Sequence, residues 1–170
     1  MITITLFRYY GDVNITKSLV TIENEEGRVL FRGEARENGF RQYRRGEEFY
    51  GHTRYCLAEG EYVLRETTDD CMTMCYRIVD DPHRRGCRIT CFDSKKQATV
   101  NKVNVGFANE CEDPEIRRMV DIDRAREEFI RIIYENYQMG ARLRVTNEKT
   151  LSPNLARPRE EHFAQSLPKS

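Results

Sequence analysis

Met1-Ile2-Thr3-Ile4-Thr5-Leu6-Phe7 opens the chain with apolar residues at every second position, the period of a strand that turns one face to a core and the other away. The same period recurs downstream. Candidate strands lie at Leu19–Ile22, Arg28–Arg32, Tyr62–Arg65, Met72–Val79, Cys87–Phe92 and Val100–Phe107. Turn-forming residues separate them: Gly11-Asp12, Glu25-Glu26-Gly27, Glu59-Gly60 and Asp80-Asp81-Pro82, as hairpins require. Arg36 to Gly51, rich in Arg, Glu and Gly, reads as a long loop between strands.

The period changes at Asp113-Pro114-Glu115, a capping acid followed by Pro at the first helical position and an acid in the first turn. Ile122, Ala125, Phe129, Ile132 and Ile133 then recur at helical spacing, which predicts a helix from Ile116 to Met139. Glu127 and Arg131 stand four apart on its polar face as an expected ion pair. Gly140 supplies the left-handed stop, and Ala141 to Thr146 alternates again as a closing strand. After residue 149, three prolines and few large apolar side chains predict a flexible tail over residues 150–170. The expected architecture is one α+β domain over residues 1–149, a β-rich curved sheet or partly closed barrel packed by a single C-terminal helix.

A chain of 170 residues accommodates one core. No stretch approaches the run of about 20 apolar residues that a membrane-crossing helix needs. Twenty-eight Lys and Arg balance 28 Asp and Glu, so no global field draws the chain to nucleic acid or to an anionic membrane. Met1 to Phe7 lacks the basic and long apolar regions of a secretory signal. The expectation is a chain that starts in the cytosol with reduced thiols, unless a phage particle or secretion machine delivers it.

Six cysteines include two pairs at matching spacing, Cys71/Cys75 and Cys87/Cys91. Residues four apart on a strand share a face but stand about 13 Å apart, whereas thiolates on one zinc sit about 2.3 Å from it. A tetrathiolate site therefore does not fit two straight strands, and no metal or cofactor is expected. Pairing of the hairpin could set Cys75 opposite Cys91 or Cys87, within disulfide reach. The plainer reading is small buried hydrophobes.

The order of elements carries a resemblance. Ile4 to Leu19, with Gly11-Asp12 and Thr16 after the first strand, then Tyr50 to Val63, then a final helix and strand, resemble a small family of phage and bacterial domains with an L,D-transpeptidase-like His and Cys signature. The resemblance covers about residues 1–147. It implies a cell-wall enzyme scaffold in which a thiolate attacks a peptide carbonyl and an imidazole activates it. The family's Gly and Tyr fall on Gly60 and Tyr62, but its His falls on Cys91 and its Cys on Lys102.

That departure implies a non-catalytic binding or assembly module, with Tyr55, Tyr62, Lys102 and Asn104 as binding residues and a protein partner or a peptidoglycan peptide as ligand. A rebuilt cysteine site is the alternative: Cys87 or Cys91 as nucleophile, its thiol acidified by Arg84, Arg85 or Arg88, and His52 or His83 as base. The third reading is nucleic-acid binding through Arg41-Gln-Tyr-Arg-Arg45 with Phe40, Tyr43, Phe49 and Tyr50. Glu34, Glu37, Glu47 and Glu48 crowd that segment and favour a solvated mixed-charge loop.

Overall fold

In the computed structural model, which describes residues 1–68, 72–91, 102–105, 122–149 and 151, the N-terminal alternation becomes β1 (Ile2–Gly11). β2 (Thr16–Glu23), β3 (Val29–Glu37), β4 (Gly60–Thr68), β5 (Met74–Ile78), β6 (Arg88–Cys91), β7 (Lys102–Val105), α1 (Ile122–Glu135) and β8 (Ala141–Asn147) follow. The sheet closes on itself in the order β1-β2-β3-β7-β6-β5-β4-β8. Most neighbours are antiparallel, but β8 runs parallel to β1 and β7 parallel to β6. Closure removes the exposed edges on which an open sheet would pair with other chains.

The period-two pattern decides what lies inside. Ile2, Ile4 and Leu6 from β1, Val20 and Ile22 from β2, Tyr62 and Leu64 from β4, and Leu143 and Val145 from β8 join one core. Each aliphatic side chain fully removed from water there contributes roughly 1.5–3 kcal/mol. Helix α1 adds Ala125, Phe129, Ile132 and Ile133 to the same core and lies against β3, β5 and β6. Phe129 meets Tyr76 edge to face, with ring centroids 6.4 Å apart.

Several expectations shift by a few residues. β3 runs to Glu37, past the expected end at Arg32 and into the segment read as loop. The strand expected over Met72–Val79 is Met74–Ile78; of that expected over Val100–Phe107, Lys102–Val105 is strand and the other residues lie outside the described ones. Helix α1 ends at Glu135, because a turn follows in which Gln138 has φ of 64° before Gly140 at φ of 80°. The polar face of α1 pairs Arg124 with Glu128 at 3.4 Å and Arg131 with Glu135 at 4.0 Å, in place of the expected Glu127–Arg131 pair. The expected helix start at residues 113–121 and Cys71 and Cys111 lie outside the described residues, as does all but Leu151 of the flexible tail expected over residues 150–170; Leu151 is buried against Phe40 and Cys56.

The hairpin register corrects the disulfide expectation. Tyr76 stands opposite Ile89 and Arg77 opposite Arg88, so alternation sends Cys75 to the face opposite Ile89 and Cys91. Cys87 and Cys91 belong to the barrel core, which Cys75 does not join. Cys56, Cys75, Cys87 and Cys91 are all buried and unbridged.

Candidate functional site

The segment from Asn38 to Glu59 is a folded loop, tied to the barrel at both ends. Gly39 pairs with Tyr55 and Arg44 with Glu59 in short parallel bridges. Asp12 organises the neighbouring turn, its carboxylate accepting from the backbone N–H of Asn14 and Ile15 and from the Tyr10 hydroxyl. The Thr16 hydroxyl donates to the carbonyl of Asn38 at 2.8 Å. The Gly-Asp and Thr positions that carried the resemblance thus fix where this loop leaves β3.

Beneath the loop lies a buried ion pair. Arg8 and Glu37 join in a two-bond fork at 2.8 and 2.9 Å, with Arg8 0% and Glu37 1% exposed. Arg8 also donates to the carbonyl of Leu57, and Glu37 accepts from the Leu57 N–H. The pair's remaining polar capacity is thereby spent on the loop backbone and, through Arg8 Nη1, on the Asn147 side chain of β8 at 3.3 Å, the condition under which a buried ion pair is tolerated. Sequence reading missed it. The signal was the alternation itself, which places Arg8 on the same face as Ile2, Ile4 and Leu6.

Arg84 is a second buried cation. Its Nη2 lies 2.7–2.9 Å from the carbonyl oxygens of His52, Tyr55 and Cys56 and the hydroxyl of Tyr43, four acceptors that share its two hydrogens. It stands in the short helical turn Pro82–Arg84, which Asp81 caps by accepting from the His83 N–H. One side chain therefore clamps the 43–56 loop to the β5–β6 connection. Burial raises the Tyr43 hydroxyl pKa despite the facing guanidinium.

Where this clamp meets the surface there is a shallow depression of about 450 Å³, lined by Arg45, Gly46, Glu48, Asp81, Pro82 and His83. Arg45 lies over the ring of Tyr62 and binds the side chain and carbonyl of Asp80 and the carbonyl of Glu61. Its Nε stands 3.6 Å from Asp81. Burial opposes the charge on Glu48, but hydrogen bonds from the N–H groups of Gly46 and Glu48, with His83 and His52 nearby, hold its carboxyl below the usual range.

The expected catalytic residues reach this region in part. His52 and His83 stack edge to face, with centroids 5.5 Å apart. The two ring nitrogens of His52 sit 2.8 Å from the carbonyl oxygens of Phe49 and His83. A neutral ring donates to one of these and an imidazolium to both, and in either form the ring pins the loop to the turn. Cys87 is 1% exposed, and burial pushes its thiol up to about 12 despite the nearby Arg84. Cys91 is likewise in the core, 6% exposed. The expected acidification of Cys87 is thus reversed, since desolvation outweighs one facing cation.

The expected binding residues divide. Tyr55 is half-buried, its ring 5.6 Å from Phe49. Tyr62, expected at a binding surface, is 1% exposed and donates its hydroxyl to the Ala58 carbonyl. Lys102 and Asn104 lie on β7 opposite Arg88 and Thr90 of β6. Of the rings named for base stacking, Phe40 and Tyr43 are buried, the face of Phe49 carries Arg41 at 3.7 Å, and only Tyr50 is fully exposed.

Among the described residues no group of three or more His, Cys, Asp and Glu is arranged to hold a metal ion, and no helix is long and apolar enough to cross a membrane. Compared with known protein families, with curated proteins and with solved structures, the chain finds no match in any of the three.

Proposed function

We propose that this chain is a non-catalytic binding module on an L,D-transpeptidase-like scaffold, taking a peptide-like ligand of the cell-wall class at the depression between the 43–52 loop and the Asp80–Arg84 turn. The observation that carries the reading is the state of the thiol. Cys87 is sealed in the core with its pKa pushed up to about 12, whereas a cysteine nucleophile needs a thiolate near neutral pH and an open approach. The His52 ring faces backbone carbonyls on both sides, which leaves it to hold the loop. What stays accessible is a mixed-charge surface held firmly from below, a suitable rest for a polar peptide.

Incubation with intact peptidoglycan tests the reading, with soluble fragments read by mass spectrometry and the protein followed in the pellet. The expected result is co-sedimentation without new fragments. New fragments or crosslinks that vanish in Cys87→Ser or Cys91→Ser would replace it with a cysteine-dependent peptidoglycan peptidase or transpeptidase. Protein that stays in the supernatant with no chemistry would move the ligand from the wall to a protein partner.

A further inference from the structure

Four basic residues stand side by side across four neighbouring strands. Arg65 of β4 is opposite Arg77 of β5, Arg77 is opposite Arg88 of β6, and Arg88 is opposite Lys102 of β7. At about 4.8 Å between strands, the row runs about 14 Å across the barrel wall. Leu64, Ile78 and Ile89, next to the three arginines in the chain, belong to the core, so alternation turns the arginines to the outer face. Arg65 and Arg77 are exposed and Arg88 is half-buried. Like charges directly opposite one another weaken a sheet, and neither Arg65 nor Arg77 has an ion-pair partner among the described residues. Glu61, the acid of β4 on that face, is four residues from Arg65 and is taken by Arg142 and Arg144. Glu66 turns to the barrel mouth, where it accepts from the Gln138 N–H. The overall balance of 28 basic and 28 acidic residues therefore conceals a local excess of positive charge.

Exposed rings lie beside the row. Tyr134 and Tyr137, both more than half exposed, line a second depression together with Met74. Met74 is three residues from Arg77 on β5, about 10 Å along the strand. The hydrogen bond from Gln138 to Glu66, the neighbour of Arg65, fixes the turn after α1 at the same end of β4.

We propose that this face binds single-stranded nucleic acid, with phosphates along the row of Arg65, Arg77, Arg88 and Lys102 and bases stacked on Tyr134 and Tyr137. A single strand offers both phosphate charge and open base faces, whereas a duplex offers the charge but keeps its base faces stacked inside. The face shares no residue with the depression at the Asp80–Arg84 turn, so the inference goes beyond the wall-ligand reading and does not rest on it. It also differs from the Arg41–Arg45 loop, whose rings are buried or covered.

Fluorescence anisotropy of a labelled DNA strand of about 12 nucleotides tests the proposal on the full chain. The logarithm of affinity should fall against the logarithm of salt with a slope of about −3, as for four phosphates on a single strand. Arg65→Ser and Arg77→Ser should each weaken binding about fivefold and reduce the slope by about 0.7. Tyr134→Ala should weaken it about tenfold with the slope unchanged, as loss of stacking does. Arg28→Ser, which removes an exposed arginine outside the row, should change neither quantity. No binding at about 50 mM salt, an equal loss in Arg28→Ser, or full affinity in Tyr134→Ala would overturn the proposal. Equal affinity for the matching duplex would overturn it too, as would tighter binding to vesicles rich in phosphatidylglycerol, which would pass the face to a membrane. Co-sedimentation with peptidoglycan, seen or not, bears on the other surface alone.

Discussion

Cys87, just before β6, shows how burial outweighs local sequence chemistry. Gly86-Cys87-Arg88, flanked by Arg84 and Arg85, has the cations that acidify a thiol, yet the side chain points into the core and burial prevails. Its folded pKa of about 12 lies above its ordinary value near 9. The thiol therefore binds its proton more tightly when folded, so its contribution to stability is complete below about pH 9 and falls as pH rises toward 12. The urea midpoint should decline across that window, and less steeply in Cys87→Ala than in the parent. Alkylation of Cys87 in the native state should be slow at neutral pH, matching the rate of unfolding, and a fast phase there would contradict the burial. Arg8 and Glu37 give a second expectation. Arg8→Met alone leaves a buried carboxylate unpaired and should cost about 3–5 kcal/mol, while adding Glu37→Leu should restore much of it. Chemical denaturation of the single and double variants measures both.

The loop between β3 and β4 shows why an element can be legible as a loop and illegible as a structure. Its Arg, Glu and Gly content correctly marks it as irregular. Its path is set by distant partners: Arg84 grips the carbonyls at 52–56, and the Phe40 N–H donates to the Asp12 carbonyl. Arg84→Leu should raise hydrogen exchange at residues 52–56 while leaving β1 and β8 protected, since the clamp acts on the loop and not on the barrel ring. Exchange unchanged at those amides would refute the clamp. Gly39 sits so close to the 12–14 turn that an added Cβ would lie 2.1 Å from the Val13 carbonyl oxygen. Gly39→Ala should therefore destabilise the chain by about 1–3 kcal/mol through backbone displacement. On α1 the spacing of Ala125, Phe129, Ile132 and Ile133 was a sufficient guide to the buried face. Phe129→Ala should cost about 3–5 kcal/mol, measurable as a lower denaturation midpoint.

At the scale of the whole molecule, β8 completes the ring by lying between β1 and β4. Arg8 and Asn147, 139 residues apart, are brought within 3.3 Å by that pairing. Removing residues 141–170 should leave β1 and β4 with open edges, and the product should aggregate. A soluble, folded truncation by circular dichroism and size exclusion would show that the seam is dispensable. Closure at such separation also predicts refolding in the range of milliseconds to seconds. The sequence by itself determined where most strands and the helix lie, though not that β3 runs on to Glu37, because alternation and helical spacing are local properties read within one element. It determined the apolar buried faces for the same reason. Only the tertiary structure decided which strand neighbours which, that Cys75 and Cys91 face opposite ways, that Arg84 turns inward, and that Arg45, Glu48, Asp81 and His83 share one depression. Those relations join residues far apart in the chain, and the energies that choose them come from closing the ring and desolvating its contents, neither of which a short stretch of sequence contains.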